Sequence, residues 1–209
     1  SVQSALQGGL EYLVGFPYGC TEQTLSRFLP TLIATSLPHP PAKIAEIQKS
    51  GQINTMLQKG FSRLRKMEHE SGAWGWWEFD EDSVWMTSYV LMGLGYARDK
   101  GYAVPEELMH HARTGAKHML SKVKDDERAF LVFALTKSGS DELRSTASIV
   151  RANMNPRKLD AVSLAFTVLI DKQLGRDPSM ALGLLMAKAI RGEGVTHWEP
   201  TPGDYRWNS

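Results

Sequence analysis

Pro17-Tyr18-Gly19-Cys20-Thr21-Glu22-Gln23 holds the only cysteine of the chain and sets an amide side chain three residues after it. Glycine and proline punctuate the chain here, from Gly15-Phe16-Pro17 onward, so one helix ends and the next opens near Cys20. Residues at i and i+3 face each other on one helical turn, which brings the Cys20 thiol to the Gln23 carboxamide. Attack of the sulfur on the amide carbon expels ammonia and leaves an internal thioester between Cys20 and Gln23. Such a bond is a good acyl donor, because thiolate leaves easily and sulfur stabilises the carbonyl poorly. The residues alone also fit a plainer account, a buried inert cysteine beside a solvated glutamine. Glu22 has two readings as well. It orients or polarises the groups that form the bond, or it is an acid in a first helical turn, where the dipole favours it. Gly19 allows a tight turn before the cysteine. Pro17 and Tyr18 are either a shield against water or an ordinary turn.

Outward from this motif the pattern is helical almost throughout. Val2, Ala5, Leu6, Leu10, Leu13 and Val14 follow one helix face. The helix opening near Cys20 carries Leu25, Phe28, Leu29, Leu32 and Ile33 and stops at Leu37-Pro38-His39-Pro40-Pro41. Pro30 lies inside it and is expected to kink or interrupt it. A helical region from Ala42 to about His69 is broken at Gly51. Trp85, Tyr89, Met92 and Leu94 mark another that ends near Gly101. Pro105 opens a helix through Leu108, Ala112 and Met119. Further helices are expected over 126–137, 141–152, 159–172 and 178–190. No alternating run of strand type stands out. The connectors are short, so consecutive helices are expected to pack antiparallel.

The bulk properties bound the function. The 209 residues suffice for one domain with a real core. A hydrophobic content of 42% and a charged content of 22% are ordinary for a globular chain. A net charge of +1 leaves no field to gather nucleic acid or an anionic membrane. The longest apolar run, Ala161 to Ile170, is too short to span a bilayer. No signal peptide opens the chain, in keeping with a piece of something longer. One cysteine excludes an internal disulfide framework and a cysteine-based metal site, and no cofactor or metal is expected.

Gly19-Cys20-Thr21-Glu22-Gln23 resembles the thioester signature of the α2-macroglobulin and complement family, with threonine where glycine is common, a variation closer to bacterial members. The flanks agree: the aromatic-Pro-Tyr lead-in, then Thr24-Leu25-Ser26-Arg27 and Phe28-Leu29-Pro30. Between helices lies Ser71-Gly72-Ala73-Trp74-Gly75-Trp76-Trp77, and the helix after it begins Ser83-Val84-Trp85-Met86-Thr87-Ser88-Tyr89-Val90-Leu91. Thr196-His197-Trp198-Glu199-Pro200 and Asp204-Tyr205-Arg206-Trp207 continue the Trp-rich connectors. This pattern resembles the α/α-toroid of the family's thioester domain. The resemblance implies an all-α fold, with residues 1–209 a single thioester domain fragment, incomplete at its C-terminal side. The tryptophans read as architectural.

The function implied is that of a broad-range endopeptidase inhibitor, a single-use acyl donor and not an enzyme. A protease cuts a bait region elsewhere in the full protein, the thioester is exposed, and a lysine amine of the protease is acylated at Gln23. Partners are target proteases and the bait and shielding domains of the full chain. The compartment implied is extracytoplasmic, the periplasm for a bacterial protein acting in host defence, with the full-length protein membrane-anchored or free, and otherwise the secreted space. Some complement-like members add a histidine from a later loop that directs transfer to hydroxyls. The corresponding stretch here, about 124–160, has none. His110, His111 and His118 read as a solvated face with Arg113 and Lys117, and His197 lies too far along. Two other readings compete. One is a toroid enzyme, such as a terpenoid cyclase or a carbohydrate-active enzyme, with an acid from Asp80-Glu81-Asp82; those acids also read as an N-cap before the Trp85 helix. The other is a helical interaction module with an inactive motif.

Overall fold

The computed structural model describes residues 19–199. Nine α-helices lie among them: α1 (Thr21–Ala34), α2 (Ala42–Lys49), α3 (Gln52–Lys66), α4 (Val84–Asp99), α5 (Glu106–Met119), α6 (Asp125–Lys137), α7 (Asp141–Asn153), α8 (Ala161–Gln173) and α9 (Ser179–Ala187). The helix expected over 2–14, and the Trp-rich segment after Glu199, fall outside the described residues.

The helices sort into two layers. Helices α1, α4, α6 and α8 pack side by side in that order as the inner layer, and α3, α5, α7 and α9 pack on them as the outer one. The sequence carries the reason. Helices α4 and α8 are apolar around most of their circumference, as suits elements flanked on several sides, whereas α3 and α5 confine their apolar residues to one stripe. Short connectors between α4 and α5, α6 and α7, and α8 and α9 make each of those pairs antiparallel. The result is an arc of an α/α-toroid, all-α as expected. Its main core joins Leu25, Phe28 and Leu32 of α1, Leu57, Phe61 and Leu64 of α3, and Val90, Leu91 and Leu94 of α4.

The breaks fall close to where glycine and proline predict them. Gly51 separates α2 from α3 with φ at 73°, a left-handed conformation that favours glycine. Pro105 stands just before α5 as its cap residue. Of the two outcomes expected at Pro30, interruption does not occur, since α1 is one helix from Thr21 to Ala34. Phe28, Leu29 and Leu32 around Pro30 are almost wholly buried, and that packing outweighs one lost backbone hydrogen bond. Three expectations need correction. The last helix ends at Ala187, not near Ile190, and an exposed antiparallel hairpin follows, β1 (Ile190–Gly192) and β2 (Val195–His197). Its two-residue turn is Glu193-Gly194, with Gly194 at φ 75°, so Thr196-His197 is strand. The cap of α4 is Ser83, whose hydroxyl accepts from Met86 N–H, and none of Asp80, Glu81 or Asp82. Finally, His111 does not simply face solvent: its Nδ1 pairs with the largely buried carboxylate of Glu68. His110 and His118 are exposed, as is His197.

Candidate functional site at the start of α1

Cys20 is the N-cap of α1, in extended conformation, and is buried. Its Sγ accepts from the Gln23 backbone N–H at 3.5 Å. In return the Cys20 N–H donates to Gln23 Oε1 at 3.2 Å. This is a reciprocal capping box with cysteine in the place of serine or threonine. It turns the Gln23 carboxamide back over the helix start, to the same end as the sulfur. Gly19 is what leaves room. A Cβ there would stand 1.7 Å from Gln23 Oε1 and 2.9 Å from Gln23 Cδ.

Two remote segments hold this turn. The first is the Trp-rich connector. The Trp76 carbonyl accepts from Thr21 N–H at 2.9 Å, filling one of the orphan donors at the helix start. The connector is itself built on side chains. Asp80 Oδ2 accepts from the backbone N–H groups of Trp76 and Trp77 at 2.7 and 3.0 Å. Trp74 is completely buried, and its Nε1–H donates to the Leu64 carbonyl at 2.8 Å. Thr87 Oγ1 meets both the N–H and the carbonyl of Trp74. His69 places Nδ1 against Asp82 at 2.7 Å and Nε2 against the Trp77 carbonyl at 3.2 Å. Burial works against its charge. The hydrogen bonds to Asp82 and Trp77, with the charges of Asp82 and Asp80, outweigh that and hold the imidazole pKa above its ordinary value. The second segment is α3, whose Arg63 Nη2 donates to the Gly19 carbonyl at 3.1 Å.

Glu22 has its own partner and no hydrogen bond to the amide among the described residues. It accepts from Ser26 Oγ, which also lies 3.4 Å from Tyr89 Oη. Glu22 lines a cavity of about 480 Å³ with Trp76, Trp85, Tyr89, Phe130 and Phe166 among its walls. Burial raises the Tyr89 phenol pKa, the hydrogen bond to Ser26 offsets part of that, and the Glu22 charge adds to the rise. Trp74 is architectural as expected, while Trp76 and Trp85 also wall this cavity.

Of the expected residues, the structure brings Cys20 and Gln23 together and sets Glu22 beside them without contact to the amide. Arg63 and the Trp76 carbonyl were missed, and Asp80 was given another role. Asp80, read as a possible acid or cap, is a turn anchor, and no local signal in the sequence ties Arg63 to Gly19. Among the described residues no group of three histidine, cysteine or acidic side chains is placed to hold a metal, and no helix is long and apolar enough to cross a membrane.

Comparison with known proteins agrees with this fold. An α2-macroglobulin of Thermotoga maritima is 36% identical over 109 residues, 52% of this chain and 6% of that protein. The solved structure of native Escherichia coli α2-macroglobulin, spanning domain MG7 to the C-terminus, matches with a TM-score of 0.64 at 20% identity, over 87% of this chain and 31% of that one. Salmonella α2-macroglobulin reacted with methylamine matches with a TM-score of 0.63 at 19% identity, over 90% of this chain and 13% of that one. The chain thus spans a small part of each relative. The model of the A-macroglobulin TED domain matches residues 1–126, more than half of the chain. With that match, the all-α arc and the Cys20 turn at its inner helix, this chain belongs to the A-macroglobulin TED domain family.

Proposed function

We propose that this chain carries the covalent trap of an α2-macroglobulin-like, broad-range peptidase inhibitor. Cys20 Sγ attacks Gln23 Cδ, the thiol proton leaves with Gln23 Nε2 as ammonia, and a Cys20–Gln23 thioester remains. A primary amine of a bound protease then attacks the same carbon. An amide to Gln23 forms and the Cys20 thiol is released. Each molecule reacts once, so the chain is a consumed acyl donor and not an enzyme. The observation that carries this reading is the reciprocal bond of Cys20 and Gln23, with the carboxamide folded over Gly19. A serine or threonine capping box folds its glutamine back in the same way, but here the group brought to the carboxamide end of the turn is a nucleophilic sulfur.

The whole protein's activity belongs to the same proposal. A protease cuts a bait segment elsewhere in the full chain, the thioester is uncovered, and a protease lysine is captured. The site is extracytoplasmic, the periplasm in a bacterial host. Amines are favoured over hydroxyls, because no histidine lies between 124 and 160 to form an acyl-imidazole and hand the group to an alcohol. The test is the intact mass of the full-length protein with and without methylamine, with thiol titration. The expected result is a mass one ammonia below the sequence mass, then methylamine addition with release of one thiol. A free thiol and full sequence mass in fresh native protein would overturn the proposal and leave a helical module with an inactive motif.

A further inference from the structure

The hydrogen bonds of Gly19 and Cys20 belong to one peptide unit. Its carbonyl, on Gly19, accepts from Arg63 Nη2 at 3.1 Å. Its N–H, on Cys20, donates to Gln23 Oε1 at 3.2 Å. No cis bond occurs among the described residues, so these two groups point to opposite sides of one plane. A cation on the carbonyl draws electron density towards that oxygen, and the amide nitrogen gives up part of it by resonance. The N–H then becomes a stronger donor to whatever lies beyond it. Here that is the oxygen of the reacting acyl group.

We propose that Arg63 is a positioning residue for the acyl chemistry at Gln23: through the Gly19–Cys20 peptide it strengthens the Cys20 N–H as an oxyanion donor to Gln23 Oε1. The inference rests on the thioester reading above. Both steps of that reading pass through a tetrahedral Gln23 Cδ with negative charge on Oε1. In the first, the Cδ–Sγ bond forms, the charge collects on Oε1, and the carbonyl re-forms as Nε2 departs as ammonia. In the second, the amine nitrogen bonds to Cδ, the charge collects on Oε1 again, and Sγ departs, taking up the proton the amine loses. Oε1 is never exchanged, so one donor serves both steps. The sulfur has its own donor, the Gln23 N–H, which meets the charge on the departing thiolate.

Three further observations fit. Arg63 sits on α3, which packs against α1, so the guanidinium is carried by a helix and not by the loop it serves. Its Nε is buried without a hydrogen-bond partner, so among the described residues the bond it makes is the one to Gly19. Thr21 N–H, the next donor along the backbone, is taken by the Trp76 carbonyl and does not compete for Oε1.

The experiment uses the full-length protein, first shown by mass to carry the thioester; if wild type carries none, the underlying reading fails and not this one. Arg63→Met and Arg63→Lys are then compared with wild type in two measurements. One is the rate of thiol release by methylamine. The other is the frequency of the thioester carbonyl in isotope-edited infrared spectra with carbon-13 at the Gln23 acyl carbon. Arg63→Met is expected to slow aminolysis roughly 10- to 100-fold, less than outright loss of an oxyanion donor. Its carbonyl band moves to higher frequency as the hydrogen bond weakens. Arg63→Lys recovers part of both, since it restores the charge. A wild-type rate in Arg63→Met, or an unmoved band, overturns the proposal. A lowered melting temperature with rate and band unchanged makes Arg63 a structural anchor only and overturns it equally. If Arg63→Met does not fold by circular dichroism, Arg63→Gln takes the same two readings under the same criteria.

Discussion

Serine, threonine, aspartate and asparagine are the usual helix caps, so a cysteine at the start of α1 asks what the sulfur adds. Two substitutions separate capping from chemistry. Cys20→Ser keeps an acceptor for the Gln23 N–H, and its stability should stay close to wild type. Cys20→Ala removes the cap and should cost ~1 kcal/mol. Neither should capture a protease covalently, as read by a band resistant to denaturant on a gel. Capture by Cys20→Ser would remove the sulfur from the mechanism. Gly19→Ala tests the space above the cap. The new methyl displaces the Gln23 carboxamide, because no position of a Cβ there clears Oε1 and Cδ as they stand. A helix start survives that, so circular dichroism should be unchanged while the mass loses its ammonia deficit. An intact thioester in Gly19→Ala would mean that Gln23 does not need to fold over Gly19. Cys20, Gln23 and the glycine were legible in the sequence because a helical turn fixes their relation. Arg63 was not, since its bond to Gly19 exists only once α3 lies against α1.

At the level of elements, punctuation was legible and override was not. Glycine 51 and the prolines before α2 and α5 mark helix ends by backbone conformation alone, and the structure agrees. Pro30 obeys packing instead, and the Glu193-Gly194 hairpin needed recognition of a short turn flanked by Gly192 and Val195. The Trp-rich connector shows how an element without regular structure holds a site. Its geometry depends on Asp80 and on His69, whose ring nitrogens both face acceptors. The folded His69 pKa is raised, so its contribution to stability is fully present below the unfolded value of about 6.5 and is lost as pH climbs through the raised folded value. The melting-temperature difference between wild type and His69→Gln should therefore be largest below about pH 6.5 and shrink as pH rises through the raised folded value. A difference that is flat in pH would show that His69 acts here without its charge.

On the scale of the whole molecule, the inner helices matter to the site because the cavity beside Glu22 is walled by four of them. The all-α class was legible from helical periodicity, and the layers only in part: α4 and α8 are apolar all round and α3 and α5 are striped, but the pairings within the arc were not legible. Which side chains of different helices meet is a property of the assembled arc. Phe130 on α6 shows this. Its ring stacks on Phe166 of α8 with centroids 4.5 Å apart and an interplanar angle of 14°, and it meets Trp85 of α4 at 4.5 Å. It is 2% exposed and so ties three inner helices at once. Phe79, in the Trp-rich connector, is 92% exposed and ties nothing. Phe130→Ala should therefore lose about 3–5 kcal/mol in denaturant unfolding, through lost burial and the void it leaves. Phe79→Ala should stay within about 0.5 kcal/mol of wild type. The pair discriminates between a continuous inner wall and a loose set of helix pairs. In a continuous wall the Phe130 variant unfolds in one transition at lower denaturant. In a loose set, α7 to α9 would melt first and α1 to α5 would keep the wild-type midpoint, with aminolysis at Cys20 and Gln23 unchanged.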